Sequence, residues 1–186
     1  KTINNIINDL NIDCWLYISK NYLKLKKIST EIGSSTMPQK VNPINFENSE
    51  GNICIANSLI EGITRKIQIS RLQRDLTDST ILRNIGSVLS YSLISYDSTL
   101  KGLIKIEINK EVIKSELYDN LSVLSEGLQT ILRKHKIQNS YEILHQLSRE
   151  HKLTKTLLDE FIETMPSNIQ EDLRKITLET YIGFGE

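Results

Sequence analysis

The sequence predicts an all-α protein, a bundle of long helices followed by a smaller helical domain. Three observations carry that prediction. Apolar residues recur at three- and four-residue steps over most of the chain. No alternating apolar run demands a strand. After Ile108 the periodic segments shorten, each opening near a residue suited to cap a helix.

The elements follow in order. Ile3, Ile6, Ile7, Leu10, Cys14, Ile18, Tyr22 and Leu25 share one face of a first helix. Residues 26–43 break the pattern with Gly33, Pro38 and Pro43 and read as a long loop. A second helix is expected over 45–66, with Phe46, Ile53, Ala56, Leu59, Ile60 and Ile63 inward. A break over 68–76 precedes a third helix, capped by Thr77 or Asp78 and running to about Lys105. Its expected core face holds Ile81, Ile85, Val88, Leu89, Leu93, Tyr96, Leu100 and Leu103. Short helices then cover 110–118, 122–135, 141–149, 154–164 and 170–180, with Asn109, Ser122, Thr154 and Ser167 as caps. Ser167 and Gln170 have capping-box spacing. The expected domains are 1–106, part of a larger bundle, and 107–186.

Composition bounds the function. Basic and acidic residues both total 23, so the net charge is +0. That argues against non-specific nucleic-acid or anionic-membrane binding, which favour excess positive charge, and leaves room for a local cationic pocket. No run of about 18 apolar residues exists, so no membrane-spanning helix is expected. Cys14 and Cys54 have no metal-ligand or redox spacing and read as buried apolar positions in a reducing, cytosolic compartment. Ala56 is the single alanine in a chain rich in Ile, Asn and Lys, a bias more like that of an AT-rich genome than a structural demand. The chain opens on Lys1, directly in helical periodicity, and is expected to be a piece of a longer protein.

Two segments concentrate chemistry. Residues 33–43 read Gly-Ser-Ser-Thr-Met-Pro-Gln-Lys-Val-Asn-Pro. Gly33 lets the backbone approach a ligand closely, Ser34 and Ser35 offer hydroxyls, Lys40 a positive charge and Asn42 an amide. The set suits an anion, and composition equally allows a solvated connector. Residues 70–84 carry Arg71, Arg74 and Arg83, with Ser79 and Arg83 spaced to share a face near the start of the third helix. Free N–H groups and guanidinium donors there would receive a phosphate or carboxylate. The alternative is local pairing of Arg71 with Asp75 and Arg74 with Asp78.

Residues 33–43 resemble the signature loop of the fumarase/aspartase superfamily, G-S-S-x-M-P-x-K-x-N-P. With its flanking residues the signature loop is expected to span 31–43. Phe46-Glu47-Asn48-Ser49-Glu50-Gly51-Asn52 and the Arg-Asp-Leu-Thr-Asp-Ser core of 74–79 narrow the resemblance to the adenylosuccinate lyase branch. Gln39 stands where that branch more often has His, and argininosuccinate lyases often carry Gln there. The resemblance runs from about Glu31 to Gly183.

The resemblance implies elimination of fumarate from adenylosuccinate, giving AMP, and from the succinyl-carboxamide ribotide of purine synthesis. Other lyases of the superfamily, and a helical assembly module without activity, are the alternative readings. It implies Ser34 as general base, activated by loop N–H groups and Lys40. Ser35 would support the loop or a substrate carboxylate, and Lys40 and Asn42 would polarise the succinyl carboxylate. Asn48, Arg74, Ser79 and Arg83 match substrate-binding positions, the last two at the phosphate end. Thr80, Ile81 and Leu82 would add backbone contacts. The family's general-acid histidine lies upstream of these residues. His135, His145 and His151 read as surface or helix-end residues and make no metal site. Trp15 and the tyrosines read as core or interface residues. The resemblance implies a homotetramer with active sites shared between chains, a small nucleotide substrate, no cofactor, no nucleic acid and no membrane.

Overall fold

The computed structural model describes residues 1–26, 42–149 and 153–183. The chain forms two compact units, Lys1–Asn109 and Lys110–Glu186. Helices build both, in keeping with the all-α expectation.

The first unit runs α1 (Thr2–Ser19), β1 (Leu23–Leu25), α2 (Ile44–Ile67), α3 (Thr77–Leu82), α4 (Ile85–Lys105) and β2 (Ile106–Ile108). α1 stops before the expected Tyr22 and Leu25. Asn21 takes a left-handed φ of 61°. The Tyr22 and Asn21 N–H groups reach back to the carbonyls of Tyr17 and Ile18, a Schellman ending in which Asn replaces the usual Gly. The released chain enters a two-stranded antiparallel ladder that the sequence reading did not contain, with Leu23 opposite Ile108 and Leu25 opposite Ile106. Asn109 closes it. Its N–H donates to Tyr22 O and its Nδ2 to Asn21 O, both at 2.8 Å, so its amide joins the ends of α1 and α4.

The core face of α4 differs from the expected one. Leu89 and Leu93 are 65% and 69% exposed, and Ile85 and Leu100 are exposed as well. Ser95, Ser98, Thr99 and Gly102 are buried instead. α1 shows the same inversion in part, with Ile3, Ile6 and Leu10 exposed and Asn4 and Asn11 buried, while Cys14 is buried as expected. The cause is a buried hydrogen-bond ring. Asn11 Nδ2 donates to Ser49 Oγ at 2.8 Å, Ser49 Oγ shares a hydrogen with Thr99 Oγ1 at 2.8 Å, and Thr99 Oγ1 donates to Asn11 Oδ1 at 2.8 Å. Ser95 Oγ joins at 2.6 Å from Ser49 Oγ. A second cluster lies toward the other end of the bundle. There Asn4 bonds Asn57 and Ser92 and accepts from Tyr96 Oη. Satisfied hydroxyls and amides are tolerated inside, and small side chains let the helices approach closely. Of the inward residues expected on α2, Phe46, Ile53 and Ala56 are buried, while Leu59, Ile60 and Ile63 are half-buried. Cys54 is exposed rather than buried, and both cysteines are free thiols.

Phe46 closes this core over Gly102. A Cβ at Gly102 would sit 2.7 Å from Phe46 Cζ, and the ring is 1% exposed, with no room to swing away. Gly102→Ala in the whole protein should therefore lower the urea midpoint. Overpacking costs about 1–3 kcal/mol, and the helix-propensity gain of about 1 kcal/mol offsets it only in part. An unchanged or raised midpoint would contradict this packing.

The second unit runs α5 (Lys110–Tyr118), a 3₁₀ turn (Leu121–Leu124), α6 (Ser125–Lys134), α7 (Ser140–Arg149), α8 (Lys155–Glu163) and α9 (Ser167–Arg174). Leu124, Leu128 and Leu132 at four-residue steps meet Leu144, Leu158, Phe161, Ile162, Ile169 and Leu173 in its core. Thr154 caps α8 as expected, its hydroxyl accepting from Leu157 N–H. The Ser167–Gln170 box does not form. Pro166 holds the cap position of α9, and Gln170 Nε2 donates to Met165 O at 2.8 Å. Nor does Ser122 act as a cap; it lies inside the 3₁₀ turn, and its hydroxyl donates to Asn120 Oδ1. His135 ends α6 and meets Asp172 at 3.0 Å. That contact, then Lys134 and Lys175, holds the Asp172 carboxyl well below the usual carboxylate range.

Candidate substrate site

Ser34, Ser35 and Lys40, between β1 and α2 in the sequence, lie outside the described residues. The last residues before α2 are placed. Asn42 precedes Pro43, whose carbonyl accepts the Phe46 N–H at 3.0 Å as α2 begins. Asn42 borders a small hollow with Leu25, Phe46, Gly102 and Lys105. Asn48 follows one turn later. Its Nδ2 donates to Ser98 Oγ at 3.1 Å and its Oδ1 accepts from Asn52 Nδ2 at 3.1 Å. Ser98 Oγ donates in turn to Asn45 O at 2.8 Å. The Asn48 amide is thus oriented by two neighbours, Asn52 and Ser98, that sequence reasoning did not single out. It lines a groove of about 400 Å³ with Ile44, Ile94, Asp97 and Lys101.

The arginine segment lies at the other end of α2. From Asn48 to Lys66 the helix rises about 27 Å at about 1.5 Å per residue. No side chain spans that distance, so Asn42 and Asn48 stand at one end of α2 and the arginine segment follows the other.

The expected third helix is divided in two, which corrects the placement of Arg83. α3 ends at Leu82, Arg83 stands at its C-terminal cap, and α4 begins at Ile85. The Asn84 side chain donates to Thr80 O at 3.1 Å, and Gly86 follows with its low helix propensity. Ser79 and Arg83 therefore sit on a short helix and the link after it, not on the first turn of a long one. Ser79 Oγ donates to Leu76 O at 2.9 Å and keeps lone pairs for a further donor. Thr80 and Leu82 are exposed and Ile81 is half-buried.

Asp75 organises the stretch before α3. Its Oδ2 accepts from Lys66 Nζ at 2.6 Å. Its Oδ1 accepts from Arg71 Nη1 at 3.1 Å, Thr77 N–H at 3.0 Å and Thr77 Oγ1 at 2.8 Å. The Lys66 contact first, then those from Thr77, hold its carboxyl far below the usual carboxylate range. Of the two local pairs open to the sequence, Arg71–Asp75 forms and Arg74–Asp78 does not. Among the described residues, neither Arg74 nor Arg83 makes an ion pair or side-chain hydrogen bond, and Asp78 Oδ1 is buried without a partner. Arg71 is thus paired within the chain, while Arg74 and Arg83 have no such partner among the described residues.

Among the described residues, no three His, Cys, Asp or Glu side chains gather as metal ligands, and no helix is long and apolar enough to cross a membrane. Two family models match the chain, Adenylosuccinate lyase C-terminal over residues 70–182 and Lyase over residues 1–56. Similar curated proteins are the adenylosuccinate lyases of Buchnera aphidicola subsp. Schizaphis graminum, 50% identical over 182 residues, and of Legionella pneumophila strain Corby, 48% identical over 183. That of Escherichia coli K12 is 45% identical over 182. Each match takes in 97% of this chain and 40% of the relative, so the chain spans about two fifths of the length of these relatives.

Proposed function

The chain belongs to the adenylosuccinate lyase family, and from that premise we propose that it supplies part of the active site of an enzyme that eliminates fumarate from adenylosuccinate, giving AMP. The same chemistry would act on the succinyl-carboxamide ribotide of purine synthesis. The observation that carries the proposal is the contrast among the arginines. Arg71 pairs with Asp75, whereas Arg74 and Arg83 have no ion pair among the described residues. A substrate bearing a phosphate and two carboxylates needs such donors.

In the proposed reaction Ser34, as alkoxide, takes a proton from the succinyl carbon beside a carboxylate. The electron pair left there delocalises into that carboxylate, where Lys40 and Asn42 stabilise the added charge. The pair then forms the fumarate double bond as the carbon–nitrogen bond breaks. A general acid outside this chain protonates the departing nitrogen, and no cofactor enters the sequence. The distance along α2 supports a site shared between subunits, with the Asn42–Asn48 end of one chain completed by the arginine end of another. The exposed Leu89, Leu93 and Leu100 of α4 support self-association into a tetramer, since apolar rows of this length favour burial. The first unit is read as part of the central bundle and the second as a small C-terminal domain. Free thiols at Cys14 and Cys54 favour the cytosol as compartment.

The full-length protein should release AMP and fumarate from adenylosuccinate and leave argininosuccinate intact. Cleavage of argininosuccinate instead would move the assignment to another lyase of the superfamily. Cleavage of neither would favour an assembly module without activity.

A further inference from the structure

Residues 67–74 are all exposed, Leu72 completely and Leu76 by 67%, and Asp75 is the one buried residue in 67–76. The stretch therefore has no apolar core of its own to fix its path. What fixes it is a single carboxylate. The Asp75 side chain is 3% exposed and collects donors from both sides, Lys66 in the last turn of α2 and Thr77 at the start of α3. Lys66 also donates to Ile69 O at 3.0 Å, pinning the outgoing chain from the same ammonium. Arg74 is the residue immediately before Asp75, and Ser79 follows one helical turn after it.

We infer that Asp75 is a positioning residue: its carboxylate ties the end of α2 to the start of α3 and so holds the adjoining Arg74 in the arrangement that receives the anionic end of the nucleotide. The inference rests on the function proposed above. It opposes a simple charge argument. If Asp75 acted only by its charge, removing it would unmask Lys66 and Arg71 and tighten the binding of an anion. Positioning has the opposite sign, because a displaced Arg74 loses a charge-assisted contact.

The test uses the full-length enzyme carrying Asp75→Asn, with AMP and fumarate as separate ligands in calorimetry. AMP affinity should fall by about tenfold or more, the loss expected for one charge-assisted contact. Fumarate affinity should stay within about twofold, since no donor of its end is touched. Against an Arg74→Ala background, Asp75→Asn should change AMP affinity by less than about threefold, because its effect passes through Arg74. Amide exchange over 68–77 should quicken in the variant. Thr77→Val, which removes one donor and keeps the carboxylate, should move AMP affinity the same way by a smaller factor, and serves if Asp75→Asn does not fold. Unchanged or tighter AMP binding, or an equal loss with and without Arg74, would overturn the inference. If the wild-type enzyme neither binds AMP nor cleaves adenylosuccinate, the functional proposal falls separately. Exchange over 68–77 then decides the anchoring, with unchanged rates in Asp75→Asn refuting it.

Discussion

Ser34→Ala in the full-length enzyme is expected to lower kcat by about 10²–10⁴-fold, the usual contribution of a positioned base, with KM nearly unchanged. Ser34 is the first serine of the 33–43 loop and matches the base position of the signature. A base works in the transition state, where the proton is in flight. Its loss therefore reduces kcat and kcat/KM together and leaves ground-state binding to Lys40, Asn42 and the arginines. Steady-state kinetics of fumarate release measure both parameters. Near-normal kcat would remove Ser34 from the role.

Arg83→Ala should act on binding instead. The guanidinium is unpaired among the described residues and stands in the link between α3 and α4, so truncation leaves no buried partner stranded. The loss is that of one charge-assisted contact, about 1.5–3 kcal/mol or roughly ten- to hundredfold in affinity. AMP and adenosine as competing inhibitors separate the phosphate from the base and ribose. AMP should weaken by that factor and adenosine hardly at all. Equal weakening of both would show that Arg83 does not read the phosphate.

The two units differed in how far their sequence could be read. In the second, Leu124, Leu128 and Leu132 sit at helical steps and face inward, because short helices around a small core bury the stripe that periodicity reveals. In the first, the same rule held for Phe46, Ile53 and Ala56 of α2 and pointed the wrong way along α4. A row of Ser95, Ser98, Thr99 and Gly102 reads as a solvent face until Asn11 and Ser49 are known to lie opposite and satisfy it. Partner identity is a tertiary fact that one helix's periodicity does not contain. The ladder of β1 and β2 is three residues per strand, too short for alternation to stand out. Asn21 did carry a usable signal, as a residue tolerant of the left-handed ending of a helix.

The candidate site divided along similar lines. Residues 33–43 were legible as a family motif, because few other patterns place Gly, two hydroxyls, Lys and Asn in one short stretch. The arginine segment was legible in residue type and not in arrangement. Three cations in thirteen positions do not say which one the protein keeps for itself, since that depends on the buried Asp75 and on Lys66 reaching it from the preceding helix. The roles of Asn52 and Ser98 beside Asn48 were equally hidden, each being an ordinary polar residue until its hydrogen bond is seen.

The most direct test of the account is a crystal structure of the full-length enzyme with AMP and fumarate bound together. The AMP phosphate is expected against Arg83 and Ser79, with Arg74 held by the Asp75 anchor. A fumarate carboxylate is expected against Lys40 and Asn42 contributed by a different subunit. AMP bound away from Arg74 and Arg83, or both ends of one site supplied by a single chain, would contradict it.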